Sequence, residues 1–139
     1  MALVYLTRRE TFNAAHRLWV DTWSKEKNFE IFGKCANPHY HGHNYQLFVT
    51  VKGSPQPETG YLMDAKDLSR MIKEHITEII DHTNLNMDPN FLPPGTQATT
   101  ENLVIYMWHQ LVPHLPETVR LHSIRLQETE NISAEYFGE

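Results

Sequence analysis

His41 and His43 stand two residues apart in Cys35-Ala-Asn-Pro-His-Tyr-His-Gly-His-Asn-Tyr45, at the mouth of the apolar segment Gln46–Val51. A strand repeats every two residues, so both imidazoles leave the same face of a sheet and can converge on one metal ion. Zinc held by three histidines with an open fourth position is the usual catalytic arrangement, because the open position admits water or substrate. Two residues compete to be the third ligand. His16 ends a segment expected to pair antiparallel with the strand that His41 opens, whereas His39 merely continues the two-residue spacing backwards. The set His16, His41 and His43 is preferred, because Pro38 and Tyr40 interrupt the strand before His39. The bland alternative for an H-x-H pair is a solvated strand end.

Cys35, the only cysteine, lies just upstream in a loop punctuated by glycine and proline. A lone cysteine is more often a small buried hydrophobe. Lys34 beside it, a glycine turn before it and a metal after it are the surroundings in which a thiolate forms. Asp81 and His82 follow a helix, where a cationic imidazole is favoured by the helix dipole; from position alone they read as a helix-ending histidine with a capping carboxylate. Glu128, just before a turn, reads as a solvated rim charge or as an acceptor for two parallel N–H donors of a flat heterocycle. His75 falls on an apolar helical stripe and is expected in the core, as are Met107 and Trp108. His109, His114 and His122 receive no role.

The elements that must position these residues are legible in outline. Val4–His16 is rich in β-branched and aromatic residues at its start and reads as a first strand, with Phe12, Ala14 and His16 on one face. A polar connection from about Arg17 to Tyr40 follows; in it Ser24 caps a short helix that Gly33 stops, and a connection this long in a small domain is usually functional. The second strand puts His41, His43, Tyr45, Leu47, Val49 and Val51 on one face. After a turn over Gly53–Thr59 and a short extended piece at Tyr61–Met63, Asp64 caps a helix whose stripe is Leu68, Met71, Ile72, His75, Ile76 and Ile79, ending near Ile80. Residues 86–98 hold three prolines and a glycine and read as a loop. Thr99, Thr100, Glu101 and Asn102 open another helix, with Leu103, Val104, Met107, Trp108 and Leu111 as its stripe and Pro113 and Pro116 beyond its end. Val119–Leu126 alternates as a third strand and Ile132–Phe137 reads as a fourth. The order ββααββ predicts an α+β domain spanning 1–139: a four-stranded antiparallel sheet with two helices on one face.

Composition narrows the function. The chain has 139 residues, 40% of them hydrophobic, enough for a real core. No basic leader precedes an apolar stretch, and no apolar run is long enough to cross a bilayer, so a soluble, cytoplasmic protein without a membrane partner is expected. A net charge of −5 and the lack of any Lys/Arg run argue against nucleic acid, and an anionic substrate must be met by a local basic pocket. One cysteine precludes an intrachain disulfide, and nine histidines direct attention to metal or proton-transfer chemistry.

Taken together, Phe12-Asn-Ala-Ala-His16-Arg-Leu, Gly33-Lys-Cys35, His41-Gly-His43-Asn-Tyr, Asp64, Asp81-His82-Thr-Asn-Leu, Thr99-Thr-Glu-Asn and Glu128-Thr resemble the 6-pyruvoyl-tetrahydropterin synthase family, in the right order over essentially the whole chain. The resemblance implies the tunnelling fold, in which trimers close their sheets into a barrel and two trimers stack into a hexamer. It implies a zinc lyase that converts 7,8-dihydroneopterin triphosphate to 6-pyruvoyl-tetrahydropterin with loss of triphosphate. It maps His16, His41 and His43 to zinc, Cys35 to the base, Asp81 and His82 to a proton relay, Glu128 to the pterin amine edge, and Thr99, Thr100 and Glu101 to the pterin pocket. Family sites lie between subunits, so Asp81 and His82 are expected to serve a neighbour's Cys35. Arg17, Lys25 and Lys34 are phosphate candidates by proximity in sequence.

The same scaffold also supports 6-carboxytetrahydropterin synthesis in the queuosine pathway, with release of acetaldehyde, and some relatives make 6-hydroxymethyl-dihydropterin. Five residues separate Cys35 from His41, a spacing that resembles the pyruvoyl-forming branch, whereas the queuosine-type pattern usually has three. Gly60-Tyr-Leu-Met-Asp64-Ala resembles bacterial members, many of which make the carboxy product. Two readings from other classes are a non-catalytic zinc- or pterin-binding oligomer, disfavoured by the joint presence of Cys35, Asp81 and His82, and a cupin-like metal oxygenase, disfavoured by Gln46 and Leu47 where a carboxylate is needed.

Overall fold

The computed structural model describes residues 2–88 and 91–139. Pro89 and Asn90, part of the expected loop over 86–98, lie outside the described residues. The elements run β1 (Val4–His16), α1 (Lys25–Phe32), β2 (His41–Gly53), α2 (Ala65–Ile72), α3 (Glu78–Ile80), β3 (Thr83–Asn84), α4 (Thr100–Leu111), β4 (Val119–Thr129) and β5 (Ile132–Tyr136). The two long strands are the spine: β1 and β2 pair antiparallel over their full length, from Val4 opposite Gly53 to His16 opposite His41. The helix caps fall where hydroxyl and carboxylate side chains predict them. Ser24 Oγ accepts from the Lys27 amide, Asp64 Oδ1 from Lys66 and Thr99 Oγ1 from Asn102, each satisfying an amide that the first helical turn cannot.

One face of the sheet is apolar and covered. Phe12, Ala14, Tyr45, Leu47, Val49, Val51, Ile124 and Leu126 are buried there against Leu68, Ile72, Ile76, Leu103, Met107 and Leu111 from the helices. Each such aliphatic side chain contributes about 1.5–3 kcal/mol by leaving water. The other face carries Arg9, Thr11, Asn13, Asn44 and Gln46, none of them buried. Among the described residues no helix is long and apolar enough to cross a membrane.

Three features depart from the sequence expectation. The sheet has five strands in the order β3-β1-β2-β4-β5 and is mixed, not four-stranded and antiparallel. The extra strand, β3, pairs parallel with Ala14 and Ala15 at the edge. It is fastened by the His82 amide donating to Asn13 O (2.6 Å) and the Leu85 amide to Ala15 O (2.8 Å). Two residues are too few to show a periodicity.

The second departure is a π-helical turn at Lys73–Thr77, between α2 and α3. Its extra residue rotates the remaining helical turn, so Ile80 is buried and Ile79 is exposed, and His75 leaves the expected core position to stack on the His114 ring at 3.7 Å. The third is in β4, which does not simply alternate. Thr50 pairs with Ser123 but Val51 with Leu121, so His122 is a bulged residue. The bulge shifts the parity, placing Val119 and Leu121 on the same face as Ile124 and Leu126.

The connection between β1 and β2 is held by three carboxamides that each bracket one backbone residue. Asn86 bonds both N–H and C=O of Arg17, Gln97 those of Trp19, and Asn28 those of Val20. Asn28 is fully buried and reaches Ser24 O as well. Asn28→Ala is expected to cost about 1–3 kcal/mol, the penalty for stranding backbone groups away from water, read as a lower urea midpoint at unchanged slope.

Candidate active site

The register of β1 and β2 brings the metal candidates together. His16 is opposite His41, and Ala14 is opposite His43, so three imidazoles from two adjacent strands share the apolar face at one end of the sheet. Their ring centroids are 4.5 to 5.1 Å apart. Glu128 joins them by continuing the alternation of Ile124 and Leu126 on the buried face; a second β4 bulge leaves it without a β5 partner, Gln127 being opposite Ser133 and Thr129 opposite Ile132. Its Oε1 lies 3.2 Å from His16 Nε2 and 3.1 Å from His43 Nε2, at ion-pair distance but without the alignment of a hydrogen bond. All four residues can present a ligand atom within 4.8 Å of the others. His39 is exposed in the turn before β2, where Tyr40 takes a φ of 66° and ends any extension of the strand. The geometry therefore favours the His16 set over the His39 set.

The donor set fits a zinc-like ion. His16 Nε2, His41 Nδ1 and His43 Nε2 are buried and have no hydrogen-bond partner, which is costly unless something else takes their lone pairs. His16 is oriented from behind. Its Nδ1 lies 2.7 Å from Ala98 O, so Nδ1 carries the proton and Nε2 is left free as a ligand. Burial lowers the pKa of all three imidazoles and outweighs the opposing pull of Glu128, keeping them in the neutral, ligating form.

That shift has a consequence for stability. Imidazoles of the unfolded chain take up protons near pH 6.5 while the buried ones resist, so below that value the unfolded state binds more protons. The metal-free protein is expected to keep its full stability above about pH 6.5 and to lose it progressively as the pH falls. Urea midpoints of chelator-treated protein at pH 7.5 and 5.5 read the effect, and an equal or higher midpoint at 5.5 would contradict it.

Cys35 sits half-buried in the 3₁₀ turn Gly33–Ala36 that follows α1. The turn is docked on the exit of β1: Cys35 O accepts from the Leu18 amide (2.8 Å) and Ala36 O from Arg17 Nε (2.9 Å). Cys35 thus lies beside the chain leaving His16 without belonging to the metal group. Arg17 also lays its guanidinium on the Trp19 ring at 4.0 Å. Thr99, Thr100 and Glu101 begin α4 immediately after Ala98, the carbonyl that orients His16, so this helix start adjoins the metal group.

Asp81 and His82 are placed elsewhere. Asp81 Oδ1 accepts from the Asn13 amide (2.8 Å), which holds its carboxyl below the usual range, and Oδ2 lies 3.0 Å from His82 Nδ1. His82 has a φ of 60°, outside any helix, and its side chain is 83% exposed. The Asn13 side chain leaves the sheet on the face opposite Phe12 and Ala14 and bonds Asn44. The Asp–His pair therefore opens onto the uncovered side of the sheet and does not meet the imidazoles of its own chain. Sequence reading missed the Ala98 carbonyl, a backbone group with no signature, and Tyr45, which its two-residue spacing from His43 places directly beneath the metal group.

A family model described as 6-pyruvoyl tetrahydropterin synthase matches residues 5–139. The 6-pyruvoyl tetrahydrobiopterin synthase of Dictyostelium discoideum is 43% identical over 136 residues, which cover 98% of this chain and 97% of that protein. The Homo sapiens protein of the same name is 42% identical over 134 residues, 96% and 91% of the two chains. The solved structure of Caenorhabditis elegans 6-pyruvoyl tetrahydropterin synthase is similar with a TM-score of 0.90 at 34% identity, covering 100% of this chain and 98% of that one.

Proposed function

Because the chain belongs to the 6-pyruvoyl tetrahydropterin synthase family, we propose that it is a zinc-dependent lyase converting 7,8-dihydroneopterin triphosphate to 6-pyruvoyl-tetrahydropterin with elimination of triphosphate. The observation that carries this reading is the convergence of three buried, unpartnered imidazole nitrogens next to the Cys35 turn. His16, His41 and His43 hold the zinc ion, which when bound acidifies the C–H bonds next to the substrate's side-chain oxygens as a Lewis acid. Cys35 removes a carbon proton, and His82, oriented by Asp81, moves protons between oxygen and carbon. The rearrangement is internal, so no redox cofactor is consumed.

Thr99, Thr100 and Glu101 line the pterin pocket at the start of α4. Glu128 accepts from substrate N–H donors at the metal end of the pocket, with the carboxylate that now faces His16 and His43. Arg17, Lys25 and Lys34 supply positive charge toward the triphosphate. The exposed Asp81–His82 pair faces away from its own metal group and serves Cys35 of a neighbouring subunit, in a hexamer of two trimers whose sheets close into barrels. A monomer in sedimentation would remove that arrangement.

Mass spectrometry of the product formed by zinc-loaded protein from 7,8-dihydroneopterin triphosphate tests the proposal. A pyruvoyl-bearing product is expected. A carboxy product with acetaldehyde would place the chain in queuosine synthesis, and no product would leave a zinc- or pterin-binding oligomer.

A further inference from the structure

Tyr45 is fully buried, and its hydroxyl oxygen has no hydrogen-bond partner. A buried hydroxyl in that state is costly and rare, so a partner is expected in the working protein. The ring is fixed on three sides. It stacks on Phe12 at 4.7 Å, its neighbour across β1, and meets His43 and His16 edge-on at 5.6 and 6.3 Å. Substrate cannot reach a side chain with no exposed surface, and the nitrogens that His16 and His43 leave unpaired are ligand atoms.

The strand register points to one acceptor. Gln46 pairs with Gln127, and one step further along the same two strands Tyr45 faces Glu128, on the buried side of the sheet. Glu128 turns one carboxylate oxygen to the imidazoles, and among the described residues its second oxygen makes no hydrogen bond. We propose that Tyr45 is a positioning residue whose hydroxyl donates to the free oxygen of Glu128 once the metal occupies the three imidazoles, fixing the carboxylate at the metal rim. Without a metal one Glu128 oxygen faces two imidazole nitrogens with which it makes no hydrogen bond; with those lone pairs spent on the ion, the carboxylate can settle on the hydroxyl.

The proposal rests on the zinc-enzyme reading, and its test is read first without substrate. Zinc affinity is measured by chelator competition for the wild type, Tyr45→Phe, Glu128→Leu and the double variant, with thermal midpoints of each in the metal-free state. Phenylalanine keeps the ring packing, so metal-free Tyr45→Phe should be at least as stable as the wild type. Its zinc affinity should fall about 10-fold, within the range for loss of an outer-shell partner. The same substitution in the Glu128→Leu background, where no acceptor remains at that position, should have no further effect, because the hydroxyl acts through that carboxylate. Turnover should follow the same pattern, with KM raised as well as kcat reduced, because the carboxylate that Tyr45 positions also accepts from the substrate. Equal losses in both backgrounds would mean that the hydroxyl acts independently of Glu128, and unchanged affinity and kcat in Tyr45→Phe would mean that it is idle; either overturns the proposal. Protein inactive on the pterin triphosphate would instead contradict the functional reading, while the cycle on zinc affinity would still decide this one.

Discussion

Cys35→Ala is expected to reduce turnover by about 10²–10⁴-fold, the range that a positioned acid–base group supplies, while zinc content and assembly stay as in the wild type. Two structural facts separate these readouts. The thiol is not among the residues whose ligand atoms converge, so its loss removes nothing from the metal. The turn that carries it is held through backbone atoms, Cys35 O with the Leu18 amide and Ala36 O with Arg17 Nε, and alanine preserves both. The side chain is half-buried, so the cavity left by one sulfur atom is small and partly open to water. Metal analysis, sedimentation and single-turnover kinetics on the same preparation test the prediction. Unchanged turnover would remove Cys35 from the mechanism, whereas loss of zinc would make it a ligand.

The parts of this site that were legible in the sequence are those governed by the two-residue strand period. His41, His43 and Tyr45 must share a face once β2 forms, and a partner strand ending in His16 completes the group in only one antiparallel register, which the structure adopts. Caps were equally readable, because Ser24, Asp64 and Thr99 act on amides two or three residues away. What escaped was the set of single-residue insertions. A π turn in a helix and bulges in a strand cost local hydrogen bonds that only tertiary packing repays, and neither leaves a compositional mark. Simple alternation places Leu121 and Glu128 on opposite faces of β4; the bulge at His122 is what brings both to the buried side. A sequence reading can nominate Glu128, but cannot say that it meets the imidazoles.

Asp81 and His82 show a different limit. The residue types signal proton transfer, yet position suggests only a helix end, and the structure gives a third answer. The helix stops at Ile80, Asp81 is extended, and His82 turns into the left-handed region so that β3 can pair with β1. A histidine held at positive φ is uncommon, and here Asn13 clasps the segment with two hydrogen bonds, its amide donating to Asp81 Oδ1 and its carbonyl accepting from the His82 amide. Local strain of this kind gathers where side-chain direction matters, and the direction here is outward, toward whatever covers that face of the sheet.

The ligand assignment makes the second large prediction. His16→Ala should yield protein that no longer retains zinc through purification, while His39→Ala should retain it in full. His16 is 2% exposed, with Nε2 at the centre of the group and Nδ1 held on Ala98 O, so its removal deletes one of three nitrogens from a site that has no spare imidazole. The loss should exceed the roughly 10–100-fold typical of an outer-shell partner. Zinc should also raise the thermal midpoint of the wild type by mass action, about 2.7 kcal/mol of stabilisation at 100 times Kd, and should fail to do so for His16→Ala at the same concentration. Because deleting a buried side chain also weakens the tie between β1 and the segment before α4, His16→Gln is the needed companion: it keeps bulk and a hydrogen-bond donor for Ala98 O but offers zinc a poor ligand. Both variants should remain folded and both should lose the ion. The reverse result, zinc lost from His39→Ala and kept by the His16 variants, would mean that the turn before β2 rearranges to bring His39 inward, and the metal centre drawn by the strand register would be wrong.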